Sequence, residues 1–215
     1  PLLLSILRKI EGRGAIETAR RIKQRVAAIY RYANAEGARI ENPAADINDA
    51  LKPLPRSKRY PALLDVGSIR IMIGDIDRAG ASPVNRLAAR FLALTAQRPG
   101  MVRFMEWNDI TCIDWANADS DSSDALWKVP AGKIKQELHL RSDEAFEHPI
   151  PLSSQAVETL RAVRWLTGRS PFVFPGARSG LKPISENAIG YLYNREGYKG
   201  RHMPHGWRSS FSTIM

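Results

Sequence analysis

The stretch KPLPRSKRYP, residues 52–61, sets the first limit on how this chain can fold. Each of its three prolines fixes φ and lacks a backbone donor, so neither a helix nor a central strand can run through them. Four of its side chains are positively charged, which disfavours burial. An extended linker is therefore expected, at 56–61, between a smaller part (1–55) and a larger part (62–215). The two parts differ in charge. Residues 1–58 carry 12 basic and 6 acidic residues, a net +6, whereas residues 59–215 carry 20 and 16, a net +4. The smaller part is thus much denser in positive charge. The whole chain has 215 residues, a net charge of +10 and a pI near 10.0, which points to a polyanionic partner, nucleic acid before an anionic membrane.

With 44% hydrophobic residues the chain can build a core without a metal or disulfide staple. Cys112 is the only cysteine, which fits a reducing compartment, and a cytoplasmic location is expected. There is no apolar run long enough to span a bilayer. The opening PLLLSIL is too short for a span and lacks the flanks of a signal peptide, so it reads as the buried face of a helix. A first residue of Pro, and a last helix without a stop signal, suggest a fragment truncated at both ends.

Ile16, Ala19, Ile22, Val26, Ile29 and Ala33 recur at three- and four-residue spacing, predicting an amphipathic helix over 16–36. Its other faces carry Arg20, Arg21, Lys23, Arg25 and Arg31 against only Glu17 and Glu36. Such a face is either a solvated helix surface or a set of phosphate contacts. Lys58 and Arg59 in the linker extend the same candidate DNA-binding set. Beyond the linker, helices are expected at 64–80, 83–97, 154–166 and 185–196, the last with Ser185 as N-cap, and NPAAD (42–46) is a turn before a short helix. NDITCID (108–114), ALWKVPA (125–131) and HPIPLS (148–153) are strand candidates forming an antiparallel meander, and FVFP (172–175) is a short buried run. Trp207, Phe211 and Ile214 mark a last amphipathic helix. The fold class that follows is mainly α with one small antiparallel β-sheet (α+β).

No phosphate-cradling glycine loop, HExxH or cysteine-rich zinc spacing is present, and the four histidines are too scattered to argue for a metal. What remains is a group of basic residues in apolar settings. Arg98 follows FLALTAQ at the end of an apolar helix, where it needs either an anionic partner or helix carbonyls to cap. Arg208 raises the same question in the last helix, three residues after His205. Lys133 and Lys135 follow the second strand, where a solvated lysine is the default.

In order, TAQRPGMVRFMEWNDI (95–110), VPAGKIK (129–135), HPIPLS (148–153), FVFP (172–175), PISENAI (183–189) and HGWRSSFSTI (205–214) resemble the tyrosine recombinases, specifically phage and island integrases of the P4-like type. ARRIKQRVAAIYRYANAEGARIENPAAD (19–46) resembles the end of that family's core-binding domain. The resemblance implies a helical core-binding domain followed by a catalytic domain, double-stranded DNA as partner, self-association on DNA as a tetramer, and no cofactor or metal. It implies an attack by a tyrosine on a DNA phosphodiester that forms a 3′-phosphotyrosyl link. Arg98 and Arg208 then carry the guanidiniums that stabilise the five-coordinate transition state. Lys135 matches the general acid for the leaving 5′-oxygen, and His205 the residue assisting proton transfer. The family usually reads TG-x-R-x-x-E at the first arginine, where this chain has Ala96 and Met101. Twelve residues separate Lys135 from His148, a longer gap than usual, so Lys133 stays a rival for the acid role. The family's tyrosine lies several dozen residues beyond HxxR, while this chain ends seven residues after Arg208. The expectation is a piece that binds DNA without cleaving it. The rival readings are a non-catalytic DNA-binding relative and a basic helical interaction module with structural arginines.

Overall fold

The computed structural model describes residues 2–54, 60–117, 120–133 and 147–215. It divides into two compact units, Pro1–Arg59 and Tyr60–Met215. Lys58, Arg59 and Lys135, together with most of the predicted linker, lie outside the described residues.

In the first unit, α1 (Leu2–Gly12) packs against α2 (Ile16–Ala35). Leu7, Ala19 and Leu51 are buried, with Leu3, Leu4, Ile10, Ile22 and Ile47 packed around them. The predicted stripe on α2 is buried only near its start: Ala19 is sealed, but Ile29 is 65% exposed. Helix lengths explain this, because 11 residues reach about 16 Å and 20 reach about 30 Å. A single-turn 3₁₀ helix at Asn48–Ala50 follows, and the chain after it is tied back by two charged side chains. The buried Glu11 accepts from the Lys52 N–H at 2.8 Å, and Arg20 donates to the carbonyls of Leu51 and Lys52.

The second unit is organised around α4 (Pro83–Thr95), which packs against α3 (Val66–Arg78), α5 (Pro99–Arg103), α6 (Ser154–Thr167) and α7 (Ala188–Arg195). Asp65 caps α3 by accepting from the Ser68 N–H at 2.7 Å, and Ser153 caps α6 through the Ala156 N–H. The predicted meander forms: β1 (Ile110–Thr111), β2 (Leu126–Val129) and β3 (His148–Pro151) are antiparallel in the order β1-β2-β3, with Trp127 opposite both Ile110 and Ile150. Trp127 and Val129 point into the core and Lys128 points out, as the two-residue period requires. Phe91 of α4 meets Trp127 and Phe174, with ring centroids 5.6 and 5.8 Å apart.

Three expectations change. The sheet of β1–β3 is not alone, because β4 (Pro175–Gly176) and β5 (Ser179–Pro183) make a second, two-stranded one. The fourth predicted helix starts at Ala188, not at Ser185, and its N-cap is Asn187. The Ile184 N–H still bonds to the Phe174 carbonyl, so the chain is on the sheet side until residue 184, and Ser185–Ala188 must turn before a helix can begin. On α8 (Gly206–Ile214) the buried residues are Gly206, Trp207 and Ser210, while Phe211 is 57% exposed. Residues 61–63 pack on that face, so the helix is rotated relative to its apolar stripe.

Arg98 also sits differently from expectation. Helix α4 ends at Thr95, Ala96 adopts the left-handed conformation (φ +49°), and Arg98 becomes the N-cap residue of α5. A side chain at a left-handed helix end carries a steric cost that glycine does not. Ala96→Gly is therefore expected to raise folding stability by up to about 1 kcal/mol despite glycine's greater unfolded-state entropy. Denaturant unfolding of the two chains measures the difference; a less stable glycine variant refutes the strain.

Candidate functional site

Arg98 reaches its place because the left-handed turn at Ala96 ends α4 and Pro99 starts α5 immediately after it. His205 and Arg208 reach theirs from α8, where His205 is the N-cap residue and Arg208 lies on the first turn. The helix is fixed from inside by Trp207, whose indole N–H donates to the buried Tyr193 hydroxyl at 2.8 Å. Burial drives the Tyr193 pKa far up, so that hydroxyl stays protonated. Behind Trp207 lies His202, with ring centroids 4.5 Å apart. Its Nδ1 accepts from the Leu63 N–H at 3.1 Å, and burial lowers its pKa to about 4. His202 is a structural, neutral histidine that no spacing or motif singles out.

Arg98 and His205 line one open cavity of about 740 Å³, together with Met101, Lys133, Glu186 and Tyr191. Arg208 is not part of that lining but is close enough to act on His205. The His205 pKa is lowered, first by partial burial, then by the charge of Arg208, then by that of Arg98. Arg98 and Arg208, 110 positions apart in the chain, thus both act on His205. All three side chains are exposed. Among the described residues no carboxylate lies within ion-pair distance of either arginine. Two guanidiniums without a carboxylate partner among the described residues, both acting on one imidazole, are a donor set that suits an anion with several oxygens, such as a phosphate.

Lys133 is placed otherwise. It ends a 3₁₀ turn after β2 (Ala131–Lys133), and its Nζ bonds to the Asp109 carboxylate at 2.7 and 3.1 Å and lies 3.3 Å from Glu106. Asp109 and Glu106 hold each other through a reciprocal cap of the turn Trp107–Asp109. Burial raises the Asp109 pKa despite the opposing bond from Lys133. Met101, where an acid was anticipated by the resemblance, is buried in the core at the edge of the cavity.

The candidate DNA-binding residues of α2 do not share one condition. Arg20 is committed to backbone carbonyls, and Arg21 pairs with Glu17 at 2.5 Å on an exposed surface. Arg25 and Arg31 are exposed, and Lys23 is half-buried.

Residues 1–50 match the family described as phage integrase central domain. Prophage integrase IntZ of Escherichia coli (strain K12) is 35% identical over 213 residues, covering 99% of this chain and 47% of the relative. The integrase of Shigella phage Sf6 is 32% identical over 215 residues, covering 99% of this chain and 50% of the relative. The chain thus spans about half the length of the curated relatives it matches. Among solved structures, a lambda integrase tetramer bound to a Holliday junction superposes with a TM-score of 0.65 at 19% identity, covering 99% of this chain and 58% of that one, which extends the likeness to the fold of both units. Over nearly its whole length the chain is thus similar to phage and prophage integrases, and its fold to that of lambda integrase, in keeping with the family that its order of motifs resembles.

Proposed function

We propose that this chain serves site-specific DNA recombination, as in the integration or excision of a phage or genomic island. Its first unit grips duplex DNA as part of a core-binding domain, and its second stabilises transfer of a DNA phosphoryl group to a tyrosine. The observation that carries the reading is the meeting of Arg98, His205 and Arg208 with no carboxylate partner among the described residues. Negative charge grows on the non-bridging oxygens as the fifth bond to phosphorus forms, and two fixed forks of donors favour that state over the ground state. Loss of one such donor typically raises the barrier by roughly 3–4 kcal/mol. His205, held below its ordinary pKa, is neutral at pH 7 in the empty site and can accept a proton from an attacking hydroxyl.

Lys135 is the better general acid of the two lysines, because the Lys133 ammonium is already engaged by Asp109 and Glu106. Lys133 instead ties the end of β2 to the segment that follows Arg98. Assembly on DNA into a tetramer, and a cytoplasmic location, belong to the same reading.

The first test is ionic. Affinity for duplex DNA should fall steeply with salt, and replacing Arg25 and Arg31 together by Ala should flatten the log–log slope by about two units, since each phosphate contact contributes about 0.9. An unchanged slope removes α2 from the DNA interface.

Inorganic phosphate probes the site without DNA. An anion held between Arg98 and Arg208 offsets the charges that depress His205, so its titration, followed by NMR, should move up as phosphate is added. Arg98→Ala and Arg208→Ala should each blunt that response. If phosphate leaves His205 where it was, the three groups do not share an anion.

The six tyrosines all precede Arg208. Tyr193 is buried, and Tyr198 donates to Asp75 at 2.6 Å with its pKa pushed up to about 12. The 215-residue chain alone should therefore bind a nicked duplex without leaving a covalent adduct, since an unpositioned nucleophile forfeits roughly 7–11 kcal/mol. A covalent band that disappears in Tyr191→Phe would instead make Tyr191, which lines the cavity, the attacking group.

A further inference from the structure

Nothing in α8 itself fixes the imidazole of His205. The residue caps the helix with its backbone only, and among the described residues no hydrogen bond reaches its side chain. The ring it meets is that of Tyr60, whose centroid lies 5.0 Å away with the two planes 19° apart, a stacked pair. Tyr60 is the first residue of the second unit, and the three residues after it are fastened to the same end of α8. The Met203 N–H donates to the Pro61 carbonyl at 3.2 Å, the Leu63 N–H donates to His202, and Ser210 donates to the Leu63 carbonyl at 2.6 Å. A Cβ on Gly206 would stand 2.5 Å from the Pro61 carbonyl oxygen and 3.3 Å from Ala62, so the two backbones touch with no room for a side chain. Residues 60–63 thus form a strap whose free end carries an aromatic ring against the histidine.

We infer that Tyr60 is a positioning residue for His205: the strap fixes its ring, and the ring holds the imidazole plane, shields one face and keeps the opposite edge turned to the cavity shared with Arg98. This rests on the phosphate-site reading for its purpose, though not for its test. An imidazole free to rotate at the N-cap would sample several rotamers, and the pose suited to accepting a proton would be occupied only part of the time. Stacking on the Tyr60 ring, whose backbone is anchored through Pro61 and Leu63, restricts that freedom without occupying either ring nitrogen. The hydroxyl of Tyr60 is not used, so the requirement is for an aromatic face, not for a tyrosine.

The charged and titratable groups around His205 are Arg208 on its own helix, Arg98 before α5, and Arg103, Lys133, Glu186, Tyr191 and His202 on the remaining cavity wall. Tyr60 adds cover and no charge. Removing the ring should therefore let His205 titrate higher, toward the ordinary value of about 6.5.

The experiment is NMR of the 215-residue chain without DNA, following the imidazole protons of His205 through a pH titration in the parent, Tyr60→Phe and Tyr60→Leu. In the parent, nuclear Overhauser contacts should join the Tyr60 and His205 rings, and the imidazole protons should be displaced upfield by the tyrosine ring current. Tyr60→Phe should keep both the displacement and the midpoint. Tyr60→Leu should lose the displacement and raise the midpoint, with His202 unchanged as the internal control. Absence of the ring-to-ring contact in the parent overturns the inference even if the leucine variant does not fold. A phenylalanine variant that behaves like leucine, or a leucine variant that titrates like the parent, also overturns it. The phosphate response of His205 is a separate measurement, so failure of the anion site and failure of the strap are told apart.

Discussion

The burial of α4 is the constraint from which the site follows. Phe91 is enclosed against Trp127 of β2 and Phe174, and Ala88 and Ala89 beside it are small enough for neighbouring helices to close in. A helix so enclosed cannot slide, so its end is fixed in space as well as in sequence. The left-handed residue at that end turns the chain through Arg98 into α5. The same core, through Tyr193 and Trp207, fixes α8 and with it His205 and Arg208. Two arginines 110 residues apart are thereby referred to one rigid body, which is what a site for a single phosphate needs.

The electrostatics are tuned by what is paired and what is left alone. Lys133 has two carboxylates, so that lysine brings little net charge to the cavity. Arg98 and Arg208 have none within ion-pair distance among the described residues, and their charge falls on His205. Like charges brought together would destabilise a dry interior, but all three groups are exposed, and water screens much of the repulsion. A bound phosphate would replace that water with formal charge. Under the proposed reading, an anion held there would gain affinity by relieving a repulsion already present.

Much of this was legible in the sequence, and the reasons differ by element. The meander could be read because Trp127, Val129 and Ile150 alternate with exposed neighbours, and α6 because Ser153 precedes a helical apolar pattern. Ser185 looked like the same signal but was not, since whether a serine caps a helix depends on where the preceding strand releases the chain, here at Ile184. The two-residue β4 has no period to detect. Arg98, His205 and Arg208 are singled out only through the order of motifs, because no local pattern relates residues 98 and 208. Tyr60 and His202 were missed for a physical reason: a stacked ring and a buried neutral imidazole are made by tertiary contact, and leave no spacing in the chain. Arg20 was grouped with the other bases of α2 on charge alone, whereas its geometry commits it to the carbonyls of Leu51 and Lys52.

Ala96 and Met101, the two departures around Arg98, act on different parts of its task. The turn before Arg98 needs a left-handed residue, and Ala96 adopts that conformation at a cost in strain, so the path of the chain is kept. Met101 changes the electrostatics instead. A carboxylate at that position would lie on the wall of the cavity that Arg98 lines, compete with phosphate for its guanidinium and also hold that guanidinium still. Methionine does neither; it packs with Val102 and Met105 in the core. Arg98 is then a freer charge, more available to an anion but less exactly aimed. Aim matters more for a transition state than for binding, because only interactions that strengthen as the fifth bond forms lower the barrier. Under the function proposed above, methionine at this position weighs on the rate of phosphoryl transfer more than on the grip of DNA.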